Sequence, residues 1–168
     1  MSIAQTINEL SESAASDVLA RCCDSRAWVA GMLAKRPFDS DGELSALATK
    51  LWWSLSPEAW LEAFTAHPMI GDAASLRGRF ANTSDWTSNE QAGISDADEK
   101  TLHRLADANH QYREKFGYIF IVSATGKTAV EMLAILEERL AHNPAIELPL
   151  AAAEQLEITH LRLQKLAK

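Results

Sequence analysis

Glycine and basic residues are both scarce in this sequence of 168 residues. It holds only 7 glycines and few of the alternating β-branched runs that are typical of sheets, so we expect a mainly helical chain. The 23 acidic side chains outnumber the 16 basic ones, and a formal net charge of -7 gives no field that would attract phosphate backbones or anionic lipid. We therefore expect neither a nucleic-acid partner nor a membrane partner.

Cysteines and long apolar runs are also rare. Cys22 and Cys23 are adjacent, a spacing that fits neither a CxxC metal site nor an ordinary structural disulfide, so we expect buried thiols in a reducing compartment. No run approaches the ~20 apolar residues that a membrane-spanning helix needs. The first ten residues lack the basic and apolar regions of a signal peptide. The cytoplasm is the expected location.

The remaining composition predicts one globular, helical domain over residues 1–168. Apolar residues make up 47% and charged residues 23% of the chain, which is ordinary for a globular protein. Helix start signals and apolar residues at helical spacing predict seven successive helices. These are Ser11 to about Cys23, Arg26–Lys35, Asp41–Leu55, Pro57 to about Ala66, Ser95–Phe116, Lys127–His142 and Pro144 to about Ala167. The expected architecture is an all-α bundle of about eight helices.

Two other segments stand out from this helical pattern. The β-like run 118–122 is the only one of its kind, and because a single strand cannot form a sheet we expect a short extended strap near 118–124, buried between helices. The polar, irregular stretch 71–89 is the only long loop-like segment. Such loops often carry functional residues.

Two patterns resemble known chemical motifs only in part. The segment 124–128 is similar to the end of a Walker A loop, but Ile121 stands where that motif requires glycine. His103, Asp107 and His110 share one helix face by their i, i+4, i+7 spacing, so they could supply three metal ligands. A metal hydrolase is therefore one alternative, beside the simpler interpretation of a solvated polar face.

Three further residues are candidates for a functional role, each beside a structural interpretation. His67 follows a helix end that favours its protonated form, which suits a general acid or base, although a C-cap histidine is the simpler interpretation. Ser88 and Gln91 fit a capping box at the start of a short helix. This structural role accounts for those two residues but not for the neighbouring Glu90. Arg162 lies in an apolar helix, where its charge needs a carboxylate from the protein or a ligand unless the side chain reaches the surface.

Four segments resemble, in order, the signatures of the OHCU decarboxylase family. They are AHPMIG at 66–71, SNEQAG at 88–93, FGYIFIVSA at 116–124 and ITHLRL at 158–163. This family comprises 2-oxo-4-hydroxy-4-carboxy-5-ureidoimidazoline decarboxylases, which form (S)-allantoin in urate degradation. The resemblance implies an all-helical lyase of purine catabolism that uses no metal and no cofactor.

The resemblance also implies roles for individual residues. His67, Glu90 and Arg162 match the family's catalytic positions: Arg162 would orient the anionic substrate, while His67 and Glu90 would handle its hydroxyl group and deliver a proton. The expected substrate-binding positions are Pro68, Gln91, Phe120, Ile121, Val122, Ser123 and Ala124. The expected partner is the small ureidoimidazoline substrate, and apolar helix faces could support a homodimer. The alternative is a non-catalytic helical interaction module in which the three catalytic candidates act as caps and structural ion pairs.

Overall fold

The computed structural model describes residues 1–68 and 96–167, and within these ranges it contains eight α-helices and no strand. The helices are α1 (Ile3–Glu9), α2 (Glu12–Cys22), α3 (Arg26–Leu33), α4 (Asp41–Ser54), α5 (Pro57–Thr65), α6 (Asp96–Phe116), α7 (Ala129–Leu140) and α8 (Pro144–Gln164). The predicted all-α class is confirmed. In the described part of the chain, no helix is both long enough and apolar enough to cross a membrane.

Side-chain caps determine where several helices begin. The hydroxyl of Thr128 accepts a hydrogen bond from the N–H of Glu131 at 3.2 Å, and the Glu131 carboxylate accepts one from the N–H of Thr128 at 3.4 Å. Ser2 and Gln5 form the same capping box at the start of α1, a seven-residue helix that the apolar spacing did not reveal. The Ser-x-x-Gln pattern at residues 2–5 was the available signal.

Helix ends agree less closely with the prediction. Gly117, with a φ of +83°, follows the last residue of α6 as expected, because glycine adopts this left-handed conformation without a steric penalty. The predicted ends of α3 and α8 lie two to three residues too late. There the chain continues in tight turns, in which Lys35 donates to the carbonyl of Met32 and Ala167 donates to that of Gln164.

The chain divides into two compact units. The first unit comprises Met1–His67, Ile121–Ser123 and Ala151–Lys168. The second unit comprises Pro68–Phe120 and Ala124–Leu150. A single domain over residues 1–168 stays a prediction.

Two buried tryptophans hold the core of the first unit together. The indole N–H of Trp28 donates to the carbonyl of Ala48 at 3.1 Å, and that of Trp52 donates to the carbonyl of Ala152 at 2.9 Å. Both rings are almost completely buried, and their single polar atoms are satisfied by backbone carbonyls. The second of these bonds attaches α8 to α4.

A buried charge cluster lies in the second unit. Glu147, which is fully buried, accepts hydrogen bonds from Arg139 Nε at 2.6 Å and from the Tyr112 hydroxyl at 2.5 Å. Its other carboxylate oxygen lies 3.0 Å from His142 Nδ1. A buried carboxylate is tolerated only with such charged and hydrogen-bonded partners.

The segment 119–124 is neither helical nor part of a strand. Its residues Ile121, Val122 and Ser123 are buried, as the prediction of a buried strap requires. Its extended conformation stays a prediction. The polar stretch 71–89, in which we expected functional residues, lies outside the described residues.

Candidate active site

Side chains of α8 contact three other segments of the first unit, and each contact involves a predicted site residue. Gln155 meets His67, Glu154 meets the backbone of Ser123, and Arg162 meets the end of α2. The helix therefore organises the region in which the candidate residues of this unit lie.

His67 lies immediately after α5 and is half-buried. Its backbone N–H donates to the carbonyl of Phe64 at 3.2 Å, which completes the last turn of that helix. Its ring Nε2 lies 2.5 Å from Oε1 of Gln155, a residue 88 positions away. A simple C-cap histidine does not account for this long-range contact, because the ring is engaged by a side chain of α8.

The carboxamide of Gln155 is completely buried and links His67 to Thr159. The Thr159 hydroxyl donates to the backbone carbonyl of Gln155 at 2.9 Å, and its oxygen accepts from Gln155 Nε2 at 3.3 Å. Since the amide nitrogen faces Thr159, the amide oxygen faces His67, and the ring Nε2 is therefore the donor.

Sequence reasoning missed Gln155 as a candidate functional residue. A signal was present, because Gln155 is an uncharged polar residue among the buried apolar residues Ala151, Ala152 and Leu156 on the core side of α8. Buried polar side chains need hydrogen-bond partners, so a glutamine at such a position indicates a specific contact.

The backbone of the strap is also held by α8. The N–H of Ser123 donates to the Glu154 carboxylate at 3.0 Å. Ser123 is one of the expected substrate-binding residues, and its backbone amide already has a protein partner. Ser123, like Ile121 and Val122, is buried in the first unit.

Three other predicted substrate-binding residues fall within the described chain. Phe120 and Ala124 belong to the second unit, and Pro68 is exposed. The Phe120 ring packs edge-on against Tyr112, with centroids 5.4 Å apart, and the Arg139 guanidinium lies 4.7 Å from the Phe120 centroid. The side chain of Phe120 therefore has a packing role in that unit.

The guanidinium of Arg162 caps the end of α2. Its Nη1 donates to the carbonyl of Arg21 at 3.2 Å and to that of Cys22 at 3.4 Å. These carbonyls belong to the last turn of the helix, where a positive charge is favourable. Within residues 1–68 and 96–167, no carboxylate forms an ion pair with Arg162, so an internal carboxylate partner, one of the alternatives that the sequence left open, is not found there.

The two adjacent cysteines lie beside this arginine but are poor nucleophiles. Burial raises the pKa of Cys22 to about 11, and the positive charge of Arg162 only partly opposes this effect. Burial likewise raises the pKa of Cys23 to about 12. Both thiols therefore stay protonated near neutral pH, as expected for buried structural cysteines.

His160, in the same sequence motif as Arg162, contacts a different helix. Its Nε2 lies 2.8 Å from the Thr49 hydroxyl, and its Nδ1 lies 3.4 Å from the Ser45 hydroxyl. Burial lowers the pKa of this histidine. His160 therefore attaches α8 to α4 as a neutral ring.

The structure does not support the metal hydrolase alternative. His103, Asp107 and His110 are exposed on α6. Across the described residues, no three His, Cys, Asp or Glu side chains are grouped closely enough to hold a metal ion. Glu90 and Gln91 lie outside the described residues.

Comparisons with known proteins identify the family. The family model for OHCU decarboxylase matches residues 8–164. The uric acid degradation bifunctional protein TTL of Arabidopsis thaliana is 38% identical over 148 residues, which cover 86% of this chain and 45% of that protein. The chain therefore spans less than half of the Arabidopsis protein. The 2-oxo-4-hydroxy-4-carboxy-5-ureidoimidazoline decarboxylase of Haloferax volcanii is 28% identical, and the match covers 95% of this chain and 92% of that protein.

A solved structure agrees with these relatives in both sequence and fold. The crystal structure of an OHCU decarboxylase in the presence of (S)-allantoin matches 89% of this chain and 96% of its own chain, with 35% identity and a TM-score of 0.70. On the matched family model, these relatives and this structure, the chain belongs to the OHCU decarboxylase family.

Proposed function

We propose that this protein decarboxylates 2-oxo-4-hydroxy-4-carboxy-5-ureidoimidazoline to (S)-allantoin, a step of urate degradation, without a metal or an organic cofactor. The observation that carries the proposal is its family membership across residues 8–164. The geometry adds support, because His67, Arg162 and the strap residues 121–123 belong to one compact unit. Family membership also favours an enzyme over a non-catalytic interaction module.

The substrate can supply its own electron sink. Loss of CO2 breaks a carbon–carbon bond and leaves an electron pair, which most decarboxylases place on a cofactor. Here the pair passes into the adjacent C=N bond of the imidazoline ring. The nitrogen of that bond takes up one proton and the ring carbon that carries the ureido group takes up another, while the hydroxyl group loses its proton and becomes a carbonyl. The protein therefore has to orient the substrate and to move protons.

Arg162 suits the binding of the substrate carboxylate. Its charge is permanent, and in the described chain only Nη1 makes hydrogen bonds, both to carbonyls at the end of α2. Those bonds hold the guanidinium plane in place while the remaining N–H groups can form charge-assisted bonds to an anion. Because the whole chain carries a formal charge of -7, such local positive charge is needed to attract an anionic substrate.

His67 suits proton transfer. An imidazole titrates near neutral pH, and this ring is half-buried and held by a hydrogen bond, so it can meet a bound substrate in one orientation. Glu90 is proposed as its partner in handling the hydroxyl proton. Delivery of the proton to a single face of the ring carbon would make the product one enantiomer.

The test follows the circular dichroism of allantoin formed from freshly prepared substrate. We expect the wild type to form (S)-allantoin faster than the spontaneous reaction, and His67→Ala to remove the enantioselective rate while retaining its helical circular dichroism. His103→Ala, the same substitution at an exposed histidine, should keep the full rate. Full enantioselective activity in His67→Ala would refute the role of His67, and an inactive wild type would refute the proposed function.

Three further expectations accompany this proposal. Exhaustive dialysis against a chelator should leave the rate unchanged if no metal takes part. Fractionation of cells should place the protein in the cytoplasm. Light scattering at several concentrations should show a homodimer if exposed apolar side chains such as Trp53 form an interface.

A further inference from the structure

The strongest unassigned feature of the first unit is the completely buried carboxamide of Gln155. Its oxygen lies 2.5 Å from His67 Nε2, and its nitrogen lies 3.3 Å from the Thr159 hydroxyl. Burial of an amide side chain is unfavourable unless its polar atoms are paired, and an apolar residue could fill the same volume. The position therefore requires an explanation beyond packing.

We propose that Gln155 is a positioning residue that fixes the tautomer and the ring orientation of His67, so that Nδ1 carries the lone pair used for proton transfer. This proposal rests on the proposed function, since it gives His67 a proton to move. A neutral imidazole has one N–H and one lone pair, and the hydrogen bond made by one nitrogen decides which nitrogen keeps the proton.

The direction of the hydrogen bonds follows from the network. Thr159 has a single hydroxyl proton, which it donates to the backbone carbonyl of Gln155 at 2.9 Å. Its oxygen can then only accept from the Gln155 amide nitrogen, which turns Oε1 towards His67. Because Oε1 is an acceptor, the neutral His67 ring presents Nε2–H to it, and the lone pair of that tautomer lies on Nδ1.

The network is built on a packed helix. Gln155 and Thr159 are one turn apart on α8, and both side chains are buried. A bond from Trp52 to the carbonyl of Ala152 attaches this part of the helix to α4. Groups on packed helices hold a functional side chain more precisely than groups on loops.

The first readout is kinetic. Gln155→Leu removes the acceptor but keeps a side chain of similar volume. We expect kcat to fall about 10- to 100-fold, by analogy with the loss of a partner that orients a metal-bound histidine. KM should change much less, because substrate binding is assigned to other groups. Gln155→Glu restores an oxygen acceptor at the same place and should recover part of the lost kcat.

The matched control is Thr49→Val. It also removes a side-chain hydrogen bond to a histidine of α8, because Thr49 contacts His160 Nε2 at 2.8 Å. Thr49 has no assigned role in the site, so kcat should stay at the wild-type level. If Thr49→Val lowered kcat as much as Gln155→Leu, a general loosening of α8 would explain both results and the proposal would be wrong.

The second readout needs no substrate. In protein labelled with [15N]histidine, at a pH where the ring is neutral, we expect the His67 Nδ1 to give the unprotonated type of 15N resonance and Nε2 the protonated type. The resonances of His67 are those missing from His67→Ala. In Gln155→Leu the two tautomers should mix, whereas Thr49→Val should match the wild type.

The outcomes separate this proposal from the proposed function. If the wild type lacks activity, the function is wrong even if the tautomer is as expected. If the wild type is active and His67→Ala is not, but a folded Gln155→Leu keeps both the full kcat and a single His67 tautomer, the role of Gln155 is wrong. If Gln155→Leu does not fold, the 15N spectra of the wild type and of Gln155→Glu test the proposal instead. A protonated Nδ1 in the neutral wild-type ring would overturn it.

Discussion

Arg162 and Arg21, which are 141 residues apart, are joined by a 3.2 Å hydrogen bond from the guanidinium Nη1 to a backbone carbonyl. The acceptor lies in the last turn of α2, so the bond fixes the arginine against a helix end, and among the described residues only Nη1 of the guanidinium makes hydrogen bonds. This contact gives the residue a structural role beside its proposed role in substrate binding, and activity and stability measurements report on the two roles separately.

Arg162→Met should therefore reduce both activity and stability. Loss of a charge-assisted hydrogen bond to the substrate is worth about 1.5 to 3 kcal/mol, so kcat/KM should fall roughly 10- to 100-fold. Loss of the cap on α2 should lower the free energy of unfolding by about 1 kcal/mol. Steady-state kinetics and urea unfolding measure the two effects.

The control for Arg162→Met is the same substitution at Arg104, an exposed residue that pairs with Glu137. It should leave both quantities nearly unchanged. Arg162→Lys keeps the charge but not the planar arrangement of donors, so its kcat/KM should fall between those of the wild type and Arg162→Met. Wild-type kcat/KM in Arg162→Met would contradict a role in substrate binding.

The buried cluster of the second unit predicts a large effect on stability. Glu147 is fully buried and pairs with Arg139, whose side chain is only 7% exposed. Glu147→Ala leaves the buried guanidinium without this carboxylate, and we expect a loss of about 3 to 5 kcal/mol in the free energy of unfolding. Glu137→Ala removes an exposed carboxylate and should cost about 0.5 kcal/mol or less in the same urea titration. Equal losses in the two variants would contradict the prediction.

The sequence predicted most of the fold, because the signals for helices are local. The cap at Ser56 with Pro57, and the stop at Gly117, each depend on a few neighbouring residues, and the structure contains the expected helices there. The short helix α1 was missed because its seven residues hold too few turns for an apolar stripe.

The candidate site was less predictable, because its contacts are long-range. Nothing near His67 indicates that its ring meets Gln155, 88 residues later. The resemblance to a family indicated His67 and Arg162, but it did not indicate the α8 contact of His67 or the α2 contact of Arg162. Only the packing of α8 against α2 and the end of α5 reveals those partners.

His160 should make stability depend on pH. Burial lowers the pKa of this ring below its ordinary value of 6.5. Just below pH 6.5, the ring therefore binds a proton less readily in the native state than in the unfolded chain. The free energy of unfolding should therefore be at its full value above about pH 6.5 and should fall as the pH drops below it. Urea titrations at several pH values measure this slope, which should be smaller in His160→Asn. Identical slopes for the wild type and His160→Asn would show that His160 does not contribute.

The two adjacent thiols should be unreactive in the native protein. Burial raises the pKa of Cys22 to about 11 and that of Cys23 to about 12, so almost no thiolate is present at pH 8, and both side chains are almost completely shielded from reagents. A chromogenic disulfide reagent should modify both thiols rapidly in denaturant and only slowly in buffer, at a rate limited by opening of the structure. Rapid modification of both thiols in the native protein would contradict their burial.

The raised pKa values of the two thiols should also make stability depend on pH. The neutral thiols favour the native state below their ordinary pKa of 9.0. This contribution is lost as the pH rises above that value, because the thiols ionise first in the unfolded chain. The double variant Cys22→Ala/Cys23→Ala should therefore lose less free energy of unfolding between pH 8 and pH 10 than the wild type.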